Sequence, residues 1–108
     1  MNASWVYLVV AGIFEVAWAI GMKYSEGFTK FWISGVTVVL MILSFYFLAK
    51  ALETIPLGTA YGVWTGIGAV GTAIAGMILF GESREVLRLL CILLVISGIV
   101  GLKLLSTD

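Results

Sequence analysis

Long apolar stretches separated by short polar segments dominate the pattern of this chain. Four of them predict helices, over approximately residues 4–22, 31–49, 57–80 and 86–105. About 20 apolar residues in an α-helix cover the ~30 Å hydrocarbon core of a bilayer. Because the charged positions fall almost entirely between these stretches, the pattern predicts four membrane-spanning helices joined by short loops.

The composition agrees with a lipid environment for most of the chain. Hydrophobic residues make up 62% of the 108 positions and charged residues 11%, whereas soluble domains contain about 45–50% and about 25%. The first apolar stretch lacks a basic segment before it and contains Glu15, so we expect a retained helix rather than a signal peptide. The expected fold class is an all-α membrane protein, a four-transmembrane-helix bundle forming one transmembrane domain over residues 1–108.

Basic residues show a weak bias between the two ends of the predicted bundle, with four at one end and two at the other. One end carries Lys23, Lys30, Arg84 and Arg88, and the other carries Lys50 and Lys103. The positive-inside rule therefore gives only a weak orientation, with both termini outside. A bias this small also allows insertion in both directions and pairing of two inverted copies. Because four short helices hardly enclose a substrate cavity, we expect a second subunit.

One acidic residue, Glu15, lies near the middle of a predicted span. A charged side chain at a helix centre in the membrane costs roughly 2.5–3.5 kcal/mol or more, and such residues usually face a cavity and handle ions or protons. A proton or a bound cation neutralises the charge of a buried carboxylate. Because both bind the same group, they compete for it, and this competition is the minimum requirement for exchange. The alternative is a neutral glutamic acid that only hydrogen-bonds a neighbouring helix.

Helical spacing predicts a site around this carboxyl group. Gly12 and Trp18 lie three residues from Glu15 and share its face; the glycine leaves space beside the carboxylate, and the indole N–H is a possible donor to it. Ser44, near the middle of the second span, is expected either to orient the carboxylate or to form an ordinary polar contact between helices.

Two aromatic residues of the third span, Tyr61 and Trp64, are also three residues apart. They lie deeper than an interfacial belt requires, although a lipid-facing position is the alternative for Trp64. An aromatic wall beside a carboxylate suits a delocalised cation, which is attracted to ring faces and forms paired hydrogen bonds with carboxylate.

Small residues recur in the third and fourth spans at spacings that favour close helix packing. The set predicted to give a packing stripe and a hinge in the third span is Gly58, Gly62, Gly66 and Gly68. The set predicted to form a dimer contact on the fourth span is Ser97, Gly98 and Gly101.

Two sequence runs resemble a known family. The third span begins Pro-Leu-Gly-Thr-Ala-Tyr-Gly-Val-Trp-Thr-Gly-Ile-Gly-Ala-Val-Gly over residues 56–71, and the first contains Gly-Ile-Phe-Glu-Val-Ala-Trp over residues 12–18. Together with four short helices and a lone glutamate in the first, these runs are similar to the small multidrug resistance family over the whole chain. The second run, with Trp18, resembles its guanidinium exporter subtype.

The resemblance implies a function and a mechanism. It implies a proton-coupled antiporter in the bacterial inner membrane that exports guanidinium and small guanidinyl compounds by alternating access. It implies an antiparallel, dual-topology homodimer in which Glu15 of both subunits binds substrate or protons. It assigns the site lining to Gly12, Trp18, Ser44, Tyr61 and Trp64. It further implies that Trp18 and Ser44 hydrogen-bond Glu15.

Two other functions are alternatives to guanidinium export. The alternative substrate class is quaternary ammonium compounds, and the alternative role is a non-transporting scaffold or half of a heterodimer. The near balance of basic residues favours a homodimer over a heterodimer. An enzyme is not expected, since no nucleophile–base pair or phosphate loop is present in the sequence. Nor do we expect a cofactor, a metal site or a nucleic-acid partner, since the chain has no His, one Cys and zero net charge.

Overall fold

The computed structural model describes residues 3–105, and these form four α-helices. They are α1 (Ala3–Tyr24), α2 (Phe31–Ala51), α3 (Leu57–Leu79) and α4 (Val86–Leu105). Each is long and apolar enough to cross a membrane, which confirms the predicted four-helix membrane fold. The helices begin within one residue of the predicted positions and end within two. Residues 1, 2 and 106–108 of the predicted domain lie outside the described residues.

The first loop turns through three consecutive residues with positive φ. These are Glu26 (52°), Gly27 (75°) and Phe28 (66°), a conformation that is uncommon for residues with a side chain. The buried Ser25 stabilises the turn, because its Oγ donates to the Met22 carbonyl (2.8 Å) and accepts from the Phe28 amide (3.0 Å). The connection between α1 and α2 is therefore hydrogen-bonded to the end of α1.

The third loop ends α3 at a glycine. Gly81 has a φ of 66°, and the amides of Phe80 and Glu82 both donate to the Gly76 carbonyl, at 3.0 and 3.1 Å. A left-handed glycine after the last helical residue is a common helix terminator. The Glu82 carboxylate then accepts from Arg88 Nη2 at 2.9 Å, which connects the loop to α4.

Helix α1 is the centre of the bundle. It packs against both α2 and α3, whereas the backbone of α4 approaches α3 alone among the described helices. The buried apolar residues come from the first three helices and the second loop, and they are Trp5, Leu8, Ala11, Ala51, Ile55, Ala60, Val63 and Trp64. No residue of α4 is buried. The chain by itself is thus a packed three-helix unit with a fourth helix attached along one side.

Glycines set the distance between α3 and its neighbours. A methyl group at Gly66 would lie 2.9 Å from Ile99 Cδ1 of α4, and one at Gly62 would contact Leu102 at 3.5 Å. Gly58 has no such neighbour within 4 Å. Two members of the predicted stripe therefore pack on α4. Helix α3 continues without interruption through Gly66 and Gly68, and the hinge at these positions stays a prediction.

Candidate functional site

Glu15 lies in the middle of α1 with its carboxyl group packed against α3. The side chain is half-buried, and its Oε1 atom is buried without a hydrogen-bond partner among the described residues. A Cβ placed on Gly68 would overlap the Oε1, Cδ and Cγ atoms of Glu15. Within residues 3–105 no lysine or arginine forms an ion pair with it. The structure thus presents an acidic group with a buried oxygen that the described residues leave without a hydrogen bond.

Ser44 is fully buried between the three helices. Its Oγ donates to the Ala11 carbonyl at 2.8 Å and accepts from Trp64 Nε1 at 3.0 Å. A serine hydroxyl carries one proton, so this proton is committed to Ala11, and the hydrogen bond expected between Ser44 and Glu15 is absent from the described residues. The Ala11 carbonyl is the acceptor for the Glu15 amide in a regular helix. Ser44 therefore joins Trp64 to the helical turn that carries Glu15.

Trp18 differs from expectation in a similar way. Its Nε1 atom is buried and has no hydrogen-bond partner among residues 3–105, so the predicted bond from the indole to Glu15 is not formed in this conformation. Trp18 and Glu15 do share one face of α1. That face carries an acceptor without a donor and a donor without an acceptor.

Aromatic rings form a continuous row beside this face. Trp18 contacts Phe45 with ring centroids 6.3 Å apart, Phe45 contacts Trp64 at 5.8 Å, and Trp64 contacts Tyr61 at 5.5 Å. Tyr61 remains 56% exposed and Phe45 47% exposed. Three of these residues were predicted from the sequence. Phe45 was not, because it lies in an apolar run with two other aromatic residues and nothing in the pattern separates them.

Gly12 and Gly68 have different neighbours from those that the sequence suggested. Gly12 was expected to leave space beside the carboxylate, yet a methyl group there would lie 2.6 Å from Ile67 Cγ2. The space is filled by Ile67 of α3, so Gly12 provides helix packing. Gly68, predicted as part of a hinge, is the glycine that faces Glu15. The register between α1 and α3 decides this assignment.

The residues predicted for a dimer contact lie on α4. Ser97 is exposed, and its Oγ donates to the Leu93 carbonyl of the same helix at 2.8 Å. A Cβ on Gly98 or Gly101 would have no contact within 4 Å with the rest of residues 3–105. These residues therefore leave this surface of α4 uncovered. Among the described residues no group of three or more His, Cys, Asp or Glu side chains comes together to hold a metal ion.

Comparison with known proteins gives one consistent family. The model of the family described as Small Multidrug Resistance protein matches residues 3–95. A protein from Yersinia pseudotuberculosis serotype I (strain IP32953), named Guanidinium exporter, is 54% identical over 103 residues, which are 95% of this chain and 99% of that protein. A protein of the same name from Proteus vulgaris is 52% identical over 95% of this chain and 99% of its own length. Another from Citrobacter freundii is 54% identical over 94% of this chain and 96% of its own length. The chain therefore belongs to the small multidrug resistance family of multi-pass membrane proteins.

Proposed function

We propose that this protein is a proton-coupled antiporter that exports guanidinium and small guanidinyl compounds across the bacterial inner membrane. The observation that carries the proposal is the Oε1 atom of Glu15, buried within a membrane span and without a hydrogen-bond partner in the described residues. Glu15 is also the one acidic residue in the four helices. A buried carboxyl group of this kind is stabilised by a proton or by a cation. The two ligands exclude each other, so their exchange is coupled.

The surroundings of Glu15 suit a planar, delocalised cation. Guanidinium offers pairs of parallel N–H donors that match the two oxygens of a carboxylate. It also stacks favourably on aromatic faces, and the row from Trp18 through Phe45 and Trp64 to Tyr61 provides such faces. The names of the relatives from three bacterial species support the same substrate.

Transport requires access to Glu15 from each side of the membrane in turn. We assign this to an antiparallel homodimer, in which two inverted copies place both Glu15 side chains in one cavity and exchange two equivalent conformations. The uncovered surface of α4 and the exposed rings of Tyr61 and Phe45 are surfaces for a second copy to cover. The nearly balanced basic residues at the two ends of the chain favour insertion in both orientations.

Transport in proteoliposomes tests the substrate and the coupling. An imposed proton gradient is expected to drive guanidinium accumulation, and reversing the gradient is expected to reverse its direction. Urea, a neutral planar molecule of similar size, serves as the control, and we expect no transport of it because it carries no charge to pair with Glu15. Gradient-independent uptake of guanidinium would contradict antiport. Transport of tetraalkylammonium ions without competition from guanidinium would instead favour export of quaternary ammonium compounds.

Labelling from one side of the membrane tests the dual topology. A cysteine replaces the exposed Glu26 of the first loop in a chain in which Cys91→Ala removes the native thiol. An impermeant maleimide applied outside sealed cells is expected to label about half of the protein, and the remainder only after permeabilisation. Labelling of all molecules from a single side would contradict an antiparallel dimer.

A further inference from the structure

The side chain of Glu15 packs so closely on Gly68 that position 68 has no room for a side chain. A Cβ on Gly68 would overlap three atoms of the Glu15 side chain, including the buried Oε1. The carboxyl group therefore lies directly on the backbone of α3. Gly68 is itself buried and lies within an unbroken helix with no positive φ, so its backbone conformation does not require glycine. In this conformation, the close approach of the carboxyl group is what requires glycine at position 68.

We propose that Gly68 is a positioning residue that determines where the Glu15 carboxyl group lies relative to α3. Resting on the proposed function, this assignment adds a residue that acts through Glu15 rather than by touching the cation. With Oε1 lacking a hydrogen-bond donor, no polar contact of that atom fixes its place. The flat backbone surface at Gly68 does so by shape, assisted by the weak attraction between Cα–H groups and oxygen.

A methyl group at position 68 moves the carboxyl group away from α3. The neighbouring contact of the same two helices supplies a control, because a Cβ on Gly71 would likewise overlap a side chain of α1, that of Val16. Gly68→Ala and Gly71→Ala therefore add the same volume to the same helix pair. Only the first adds it against the carboxyl group.

Kinetics of guanidinium transport in proteoliposomes measure the consequence. We expect Gly68→Ala to raise the KM for guanidinium about tenfold, the effect of losing a hydrogen bond to a charged group, while maximal turnover per reconstituted dimer changes less. Gly71→Ala is expected to leave the KM within about twofold of the parent chain, since it alters packing on an apolar neighbour. Equal KM values for the two variants would overturn the assignment.

Shortening the acid tests whether the effect passes through Glu15. Glu15→Asp removes one methylene, so in the Gly68→Ala background the shorter acid fits beside the added methyl group. The double variant is expected to transport guanidinium better than Gly68→Ala alone, because residues in contact show non-additive effects. Additive losses in the double variant would contradict a positioning role.

A measurement without substrate separates this inference from the proposed function. A hydrophobic carbodiimide modifies carboxyl groups within membranes, and mass spectrometry gives the rate of modification at Glu15. Gly68→Ala is expected to change that rate at least about threefold, because the carboxyl group leaves its place on α3, whereas Gly71→Ala does not change it. Failure of the parent chain to transport guanidinium would contradict the proposed function, but the modification rate at Glu15 would still test the role of Gly68. Identical modification rates in the parent chain, Gly68→Ala and Gly71→Ala would overturn that role.

Discussion

The first three helices differ from the fourth in whether their polar and small residues are buried within the chain. The unit of α1, α2 and α3, together with the loop that joins α1 to α2, contains every buried polar residue in the described part of the chain, including Ser44 with its bonds to Ala11 and Trp64. Helix α4 has no buried residue, and its one serine bonds its own backbone. Both regions are nevertheless apolar, since each of the four helices is long and apolar enough to span a membrane.

This difference indicates separate tasks for the two regions. Hydrogen bonds between α1, α2 and α3 fix the turn of α1 that carries Glu15, and a precise binding site needs such support from residues around it. Helix α4 packs on α3 through Gly62 and Gly66 and leaves its own small residues uncovered. Small residues on a membrane helix permit close approach of another helix. We therefore expect changes in the first unit to affect binding and changes in α4 to affect assembly.

The largest effect is expected from Glu15→Gln. The substitution keeps the size of the side chain but removes the charge, and charge-assisted hydrogen bonds contribute about 1.5–3 kcal/mol each. Loss of a pair of them predicts a decrease in guanidinium transport of about 100-fold or more, with assembly unchanged, as measured by uptake and cross-linking. The control is Glu53→Gln, an exposed acid paired with Lys50 at 3.9 Å. Coupled transport that persists in Glu15→Gln would reject the mechanism.

Gly98→Leu is expected to weaken assembly of the dimer. A Cβ at this position would have no contact within 4 Å with the rest of the described residues, so we expect the new side chain to be met by a partner helix. Overpacking costs about 1–3 kcal/mol, and it occurs on both copies, so dimerisation measured by single-molecule photobleaching in bilayers should weaken at least about tenfold. Gly35→Leu on α2 is the matched control, because Gly35 is equally open. Equal dimerisation of the two variants would show that α4 does not form the contact.

Ser44→Ala is expected to reduce guanidinium affinity about tenfold. The change leaves Trp64 Nε1 without its acceptor and removes the bond from α2 to the Ala11 carbonyl, and an unsatisfied buried polar group costs about 1–3 kcal/mol. The effect should appear as a raised KM in transport assays. Ser97→Ala removes a hydroxyl that bonds only its own helix, so its KM should stay within about twofold. A similar KM for the two alanine variants would mean that the buried bonds do not support the site.

Trp64→Phe is expected to give the smallest effect of the four. Phenylalanine keeps an aromatic ring between Phe45 and Tyr61 but loses the bond to Ser44. The net value of one neutral hydrogen bond is about 0.5–1.5 kcal/mol, which corresponds to a change of roughly two- to tenfold in guanidinium affinity. The comparison is Trp32→Phe, an exposed tryptophan on α2, for which no change is expected. A greater loss than in Ser44→Ala would indicate that the indole N–H contacts the substrate directly.

Much of the fold follows from the sequence because hydrophobic length is a local property. The four spans and their ends within two residues depend on which residues stand next to each other along the chain. The position of Glu15 within a span is equally local, and so is the aromatic pair formed by Tyr61 and Trp64. These features required no knowledge of how the helices pack.

The tertiary structure decided which side chains meet. Trp5 illustrates this, since its place near a helix end is typical of an interfacial belt, yet it is only 2% exposed in the core. The same holds for Ser44, which bonds Ala11 and Trp64 instead of Glu15, and for Gly68, which takes the place beside the carboxyl group that the sequence suggested for Gly12. A sequence specifies the face of a helix through its period of 3.6 residues. The rotation and register of one helix against another arise from the packing of all side chains at the contact, so hydrogen-bond partners between helices appear only in the folded chain.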